Sequence, residues 1–226
     1  MKFLLLGHGK TGALVAETAA QRKHHVEVLR SADNPRASGL SAEKLRNFNV
    51  VIDFTTPTTA IENIAACMRA GVNMVVGTTG WYDEISKVKT LVETADAGFL
   101  YGANFSVGIN LFLEVARSAA AALQQGYVGQ IFERHHVHKK DAPSGTAIAI
   151  QNILKDHSST EVEITSFREG EVVGMHELVF DSANDNIYLC HDAKSRRGFA
   201  EGAVRAAEWL AGRKGFFEFK DVWREL

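Results

Sequence analysis

Cysteine is nearly absent: Cys67 and Cys190 stand far apart, and there is no C-x-x-C spacing. Such a chain shows no sign of a disulfide framework or a thiolate zinc site, and it fits a reducing cytoplasm. Charge of one sign is also missing. A formal net charge of −2 gives no electrostatic case for nucleic acid or an anionic membrane. No apolar run reaches membrane-spanning length, and Gly7 follows the opening MKFLLL too soon for a signal-peptide core. Repeats and low-complexity tracts are lacking too. What remains is 226 residues, 46% hydrophobic and 23% charged. That is ordinary for a soluble globular enzyme, and enough for one large domain or two modest ones.

The first pattern is strand, turn, helix. Phe3 to Leu6 is a continuous apolar run, as in a strand buried on both faces. Gly7-His8-Gly9-Lys10-Thr11-Gly12 follows, then Leu14, Val15, Thr18 and Ala19 at helical spacing, and His25 to Leu29 alternates as a second strand. This is G-x-G-x-x-G in the setting that dinucleotide binding requires. The first glycine makes the tight turn, the second admits the pyrophosphate, and the third lets helix and strand pack. A merely structural turn is the plainer alternative, and the flanking strand and helix weigh against it. Gly7, Gly9, Lys10, Thr11 and Gly12 are therefore cofactor-binding candidates. At the second strand's tip an acid would select NAD and an arginine NADP. The chain reads VLRSAD there, so Arg30 tilts the expectation toward NADPH over NADH; Glu27 lies inside the strand, and Asp33 is close by.

The alternation continues. A short helix (Ala42 to Phe48) precedes a buried strand, Val50 to Phe54. Then come a helix (Thr58 to Ala70), a strand (Asn73 to Val76), a helix (Trp81 to Thr94) and a strand, Phe99 to Tyr101. The strand-end loops hold Asp53, Thr55 and Thr56, then Gly77-Thr78-Thr79-Gly80, then Gly102-Ala103-Asn104-Phe105-Ser106. They lie on the edge where open parallel sheets bind ligands. The fold class is α/β, a Rossmann-type dinucleotide-binding domain. Near Val107 the pattern changes. A long Ala-rich helix (Asn110 to Leu123) precedes strands at Gln130 to Val137, Glu161 to Arg168, Gly174 to Phe180 and Asn186 to His191. These predict an α+β domain with a mixed or antiparallel sheet covered on one face. From Arg197 the chain returns to helix and ends in FFEFKDVW, with a short strand or turn.

The densest chemistry lies in Glu133 to Ala147, ERHHVHKKDAPSGTA. His135, His136, His138, Lys139 and Lys140 precede a Pro-Ser-Gly-Thr turn that opens a helix. A helix N-terminus suits a carboxylate or phosphate. Ser144 and Thr146 add hydroxyls, and Gly145 admits an anion to the backbone. Histidine and lysine supply protons near neutral pH. The pattern describes a pocket for a small polyanion with proton donors beside it; the bland alternative is a solvated basic loop. A strand would send His136 and His138 to one face and His135 to the other, unless it ends there. His136-x-His138 also raises a zinc hydrolase, which lacks a third ligand at recognisable spacing and leaves the glycine fingerprint unexplained. A non-catalytic dinucleotide sensor explains only the N-terminal half.

HHVHKKDAPSGTA closely resembles the signature of the dihydrodipicolinate reductase family. VIDFTTP, VVGTTG and ANFSVGIN resemble further motifs of that family, so the likeness runs from Gly7 to Arg196. The resemblance implies NAD(P)H-dependent reduction of a cyclic imine dicarboxylate on the route to diaminopimelate and lysine, in a cytoplasmic homotetramer without a catalytic metal. It implies that residues 1–106 and 197–226 form a discontinuous dinucleotide-binding domain, with 107–196 binding substrate and building the tetramer. It assigns proton delivery to Lys139 and His135. His136, Ser144, Gly145, Thr146 and Arg196 then hold the substrate. Gly77, Thr78 and Thr79 would meet the nicotinamide ribose, and Gly102, Ala103, Asn104 and Phe105 the nicotinamide. The family often carries an acid near the tip where this chain has Arg30. Lys140 falls outside the family pattern.

Overall fold

The computed structural model describes residues 1–157 and 161–226. The chain divides into two compact units, Met1–Val107 with Arg197–Leu226, and Gly108–Arg196. The first unit runs one residue beyond the sequence expectation because Val107 packs on that unit's core.

In the first unit the strands are β1 (Lys2–Leu6), β2 (His25–Leu29), β3 (Val50–Asp53), β4 (Asn73–Val76) and β5 (Gly98–Tyr101). The helices between them are α1 (Lys10–Gln21), α2 (Ala42–Leu45), α3 (Pro57–Ala70) and α4 (Ile85–Thr94). The second unit contains α5 (Val107–Ala119, its first residue in the first unit), β6 (Val128–His135), α6 (Gly145–Lys155), β7 (Glu163–Arg168), β8 (Met175–Asp181) and β9 (Asn186–Asp192). The chain then returns to the first unit through α7 (Arg197–Leu210), β10 (Gly215–Glu218) and α8 (Phe219–Val222).

The first unit is a parallel sheet of order β10-β5-β4-β3-β1-β2. Its apolar strands are buried on both faces, which explains their continuous hydrophobicity. Leu4, Leu6, Val51, Met74 and Val76 face α3 and α4, while Phe3, Leu5, Val50, Ile52 and Val75 face α1 and α7. Pro57 starts α3 where a missing N–H costs nothing, and Gly71, with φ +69°, ends it. Along α7, Gly202 faces the Phe105 carbonyl oxygen so closely that a β-carbon would overlap it, which brings helix and loop backbones into contact.

In the second unit β6 pairs parallel with β7 and antiparallel with β8, which pairs antiparallel with β9; the order is β7-β6-β8-β9. Phe112 and Ala116 of α5 and Ile150 and Leu154 of α6 cover Ile131, Leu178 and Phe180 on one face. Some boundaries differ from the sequence expectation. α5 tightens into a 3-10 turn at Ala120–Gln125, and Tyr82–Glu84 is a 3-10 turn ahead of α4. β6 begins at Val128 and stops at His135, two residues before the expected end, because its pairing with β7 ends at His135 opposite Arg168. Among the described residues, no helix is long and apolar enough to cross a membrane.

Candidate active site

The glycine turn of the first unit has the geometry its spacing implies. Gly7 has φ +87°, and a β-carbon there would stand 2.3 Å from the Phe54 carbonyl oxygen. At Gly12 it would stand 2.6 Å from the Gly7 carbonyl oxygen. Neither position admits a side chain. Gly9 is the opposite case. It is the N-cap of α1, no described atom lies within 4 Å of its would-be β-carbon, and no side chain among the described residues caps the helix. The first amides of α1 are thus left open to an anion. Gly9, Lys10, Thr11 and Gly12 line a cavity of about 400 Å³ with Phe54, Thr55, Pro57, Gly77, Thr78 and Thr79. A backbone cradle beside an uncapped helix fits the pyrophosphate of a dinucleotide.

Asp53, fully buried, organises the far wall. It accepts from the hydroxyls of Thr78 (2.6 Å) and Thr55 (2.8 Å), from the Thr55 N–H (3.0 Å) and from the Asn63 amide (2.7 Å). Burial pushes its pKa up, and the bonds from Thr78, Asn63 and Thr55 oppose that. The Thr78 hydroxyl is therefore turned inward and also accepts the Thr55 N–H at 2.7 Å. Asn63 continues the chain by accepting from Asn34 at 2.9 Å, and Asn34 accepts the Gly39 N–H at 3.0 Å. That fixes the loop after β2. Arg30 is exposed at the tip of β2, while Glu27 pairs with Lys44 at 3.0 Å. At the end of β5, Asn104 accepts the Ser106 N–H at 2.8 Å. Gly102 is closely packed against Phe219 and Phe105. The Phe105 ring lies in the core, 4.7 Å from that of Phe219, so only its backbone is offered to a ligand; Ala103 is exposed.

In the second unit the end of β6 brings His135 into a buried cluster. Glu133, two residues earlier, shares its face of the strand. The His135 Nδ1 pairs with Glu133 Oε2, and Arg168 donates to Glu133 Oε1 at 2.7 Å. Burial would raise the Glu133 pKa, but the Arg168, Ser166 and His135 bonds hold it below the usual range. Burial lowers the pKa of His135, and Glu133 works against that. The His176 ring stands edge-on to His135, centroids 5.2 Å apart. Burial pushes its pKa down to about 4.

After His135 the chain leaves the sheet. His136 lies 3.0 Å from an Arg196 Nη2, and its N–H donates to Val172. The Lys139 ammonium donates to both Asp141 oxygens at 2.8 Å, and that bond holds the Asp141 carboxyl below the usual range. Ser144 is the N-cap of α6. Its buried hydroxyl accepts the Ala147 N–H at 3.2 Å and pairs with His176 Nε2 at 2.9 Å. Gly145 is exposed, with no described atom within 4 Å of its would-be β-carbon. Ser144 thus caps the helix, and the exposed Gly145 and half-buried Thr146 stand in its first turn. The structure groups His135 with Glu133 and Lys139 with Asp141, and joins His136 to Arg196. Glu133, Arg168 and His176 carried no sequence assignment. Glu133 was legible from its two-residue spacing to His135, whereas Arg168 and His176 arrive only through strand pairing. His136 and His138 rings stand 6.2 Å apart; among the described residues no group of three metal-ligating side chains forms.

Comparison with known proteins agrees with this geometry. Residues 1–105 match the family model of the dihydrodipicolinate reductase N-terminus, and residues 108–223 that of its C-terminus. The 4-hydroxy-tetrahydrodipicolinate reductase of Christiangramia forsetii is 37% identical over 100% of this chain and 99% of its own. That of Laribacter hongkongensis is 36% identical over 79% of this chain and 74% of its own. A dipicolinate-bound dihydrodipicolinate reductase from Paenisporosarcina sp. TG-14 shares the fold, with a TM-score of 0.80 and 22% identity over 98% and 99% of the two chains. With a strand-turn-helix dinucleotide cradle, a buried acid–histidine pair and matches along nearly its whole length, the chain belongs to the dihydrodipicolinate reductase family.

Proposed function

We propose that this enzyme reduces 4-hydroxy-tetrahydrodipicolinate to tetrahydrodipicolinate with NAD(P)H, on the route to diaminopimelate and lysine. The observation that carries the proposal is the segment from Glu133 to Ala147. It supplies a buried proton-handling pair, a loop cation and an open helix N-terminus, in a chain that also has a dinucleotide cradle. A bound NAD(P)H supplies the hydride. The Gly7–Gly12 turn and the first amides of α1 hold its pyrophosphate, the backbone of Gly77 to Thr79 the nicotinamide ribose, and the Gly102 to Phe105 loop the nicotinamide. Arg30 reads the 2′-phosphate, so NADPH is preferred over NADH; the pairing of Glu27 with Lys44 leaves no acid from β2 to compete.

The substrate carries two carboxylates. The Gly145 and Thr146 amides and the Thr146 hydroxyl hold one, aligned by the Ser144 cap, while His136 and Arg196 hold the other. Lys139 is the principal proton donor and stabilises negative charge that develops as the ring is reduced. Glu133 orients His135 as the second proton-handling group. The sheet face away from α5 and α6 carries Phe132, Phe167, Val179 and Tyr188, of which Tyr188 is 63% exposed. That face also carries Gln130, Arg134 and Glu177, and exposed aromatic side chains set among polar groups support a homotetramer. Two cysteines without a partner support a cytoplasmic setting.

The test is oxidation of NADPH and NADH by the purified enzyme, with substrate generated in place from pyruvate and aspartate semialdehyde by the preceding enzyme. Turnover requiring every component establishes the reaction. Binding of NADPH without turnover refutes the substrate assignment. Lys139→Ala is expected to lower turnover by about two to four orders of magnitude with NADPH binding intact. Near-unchanged turnover removes Lys139 from the mechanism.

A further inference from the structure

We propose that Arg168 is a positioning residue that aligns both proton-donating side chains, His135 through Glu133 and Lys139 through the Asp141 backbone. The inference rests on the assignment of His135 and Lys139 given above. Arg168 ends β7 and is the register partner of His135 across the parallel pair. Its Nη2 donates to Glu133 Oε1 at 2.7 Å and to the Asp141 carbonyl oxygen at 2.6 Å, and its Nη1 donates to the Phe167 carbonyl oxygen at 2.7 Å. Each acceptor of Nη2 leads to one donor. The second oxygen of Glu133 takes His135 Nδ1, and the Asp141 side chain takes Lys139 Nζ through both oxygens. One guanidinium thus ties the end of β6 to the loop that carries Lys139.

The chemistry favours this role over a bland ion pair. Glu133 is fully buried, and an unpaired charge there would be strongly disfavoured. Arg168 heads the bonds that keep it ionised against burial. An ionised Glu133 accepts a proton-bearing Nδ1, which leaves Nε2 of His135 to gain and release the mobile proton. Gly174 makes room for that edge of the ring, since a β-carbon there would stand 2.9 Å from Nε2. The charged or titratable groups around His135 are Glu133, Lys139, Arg168 and His176. Lysine is only a partial substitute for Arg168: one ammonium has enough N–H groups for both acceptors of Nη2 but lacks the Nη1 bond that fixes the head group on the Phe167 carbonyl.

The experiment compares Arg168→Ala and Arg168→Lys in the full chain, with His135→Gln and Lys139→Ala as references. Arg168→Ala is expected to lower kcat about a hundredfold, the cost of a small misplacement at a reacting centre. The NADPH dissociation constant, read by fluorescence, should change by less than about twofold, since the nucleotide cradle belongs to the other unit. Losing Arg168 removes both a cation beside His135 and the bond that heads those keeping Glu133 ionised, so the His135 limb of the kcat–pH profile should leave its wild-type position, and added guanidinium should restore turnover and the limb together. Arg168→Lys should fall between. Wild-type kcat and pH profile in folded Arg168 variants, with His135→Gln and Lys139→Ala both impaired, overturn the inference alone. Unchanged kcat in both reference variants overturns the donor assignment and the inference with it. Loss of thermal stability and NADPH binding in both Arg168 variants, without rescue, makes the residue structural and also overturns the inference.

Discussion

Replacing His176 with glutamine should make the protein less sensitive to acid. His176 is 4% exposed, beneath the Ser144 cap, and burial takes its pKa from 6.5 to about 4. The unfolded chain therefore binds this proton near pH 6.5 and the folded chain only near pH 4. A histidine held neutral in this way costs no stability above its unfolded pKa. Stability falls as the pH drops through the interval between the two values, because the unfolded state binds more protons there. The full interval corresponds to about 3 kcal/mol, of which roughly 2 kcal/mol is lost by pH 4.5. Glutamine keeps a partner for Ser144 but carries no titrating proton. At pH 7 it should cost about 1 kcal/mol for an imperfect buried hydrogen bond. Urea unfolding at pH 7 and pH 4.5 measures both states, provided the m-value is unchanged. The wild type should be the more stable at pH 7, and the variant should lose roughly 2 kcal/mol less on acidification. Equal losses in the two proteins would refute the claim that His176 is held neutral by burial. His135 and His191 also lower the His176 pKa, so a parallel His135→Gln and His135→Gln/His176→Gln pair separates the part of the difference that belongs to this coupling.

Three further outcomes test the two sites. Gly9→Ala should change stability by less than about 1 kcal/mol, because the position is open, yet weaken NADPH binding at least tenfold; retained affinity would show that the pyrophosphate does not approach Gly9. Arg30→Ala should raise the dissociation constant of NADPH about tenfold and leave that of NADH nearly unchanged, and equal losses would show that Arg30 does not read the phosphate. Gly174→Ala puts a methyl group 2.9 Å from His135 Nε2, so kcat should fall about tenfold or more with NADPH binding preserved; unaltered kcat would separate this edge of His135 from the chemistry.

The first unit was legible because its strands are buried on both faces, and runs such as Phe3–Leu6 and Val50–Ile52 are therefore continuous apolar segments bounded by glycine and threonine loops. The signature segment revealed His135, Lys139 and the α6 N-terminus for a similar reason, since each is local in sequence. The residues behind them were hidden. Arg168 meets Glu133, and His176 meets Ser144, only because β7 and β8 flank β6, and pairing register between distant strands leaves no mark in one sequence. Ser144 and Thr78 show a different limit. Both are hydroxyls in ligand-like loops, but one caps a helix and the other binds a buried carboxylate. Residue type identified the loop and not the direction of the side chain.

The return of the chain to its first unit also orders its biosynthesis. Phe3, Leu5, Val15 and Val75 are covered by Ala200, Ala203, Val204 and Ala207 of α7, and β10 completes the edge beside β5. These covering segments leave the ribosome after Gly108–Arg196, which is contiguous and emerges whole before them. The nascent chain must therefore carry an apolar sheet face without its helix while the second unit folds, and exposed surfaces of this kind recruit chaperones. Stalling or truncation before Arg197 should yield aggregation from the N-terminal half, although every residue of the glycine turn has already been made.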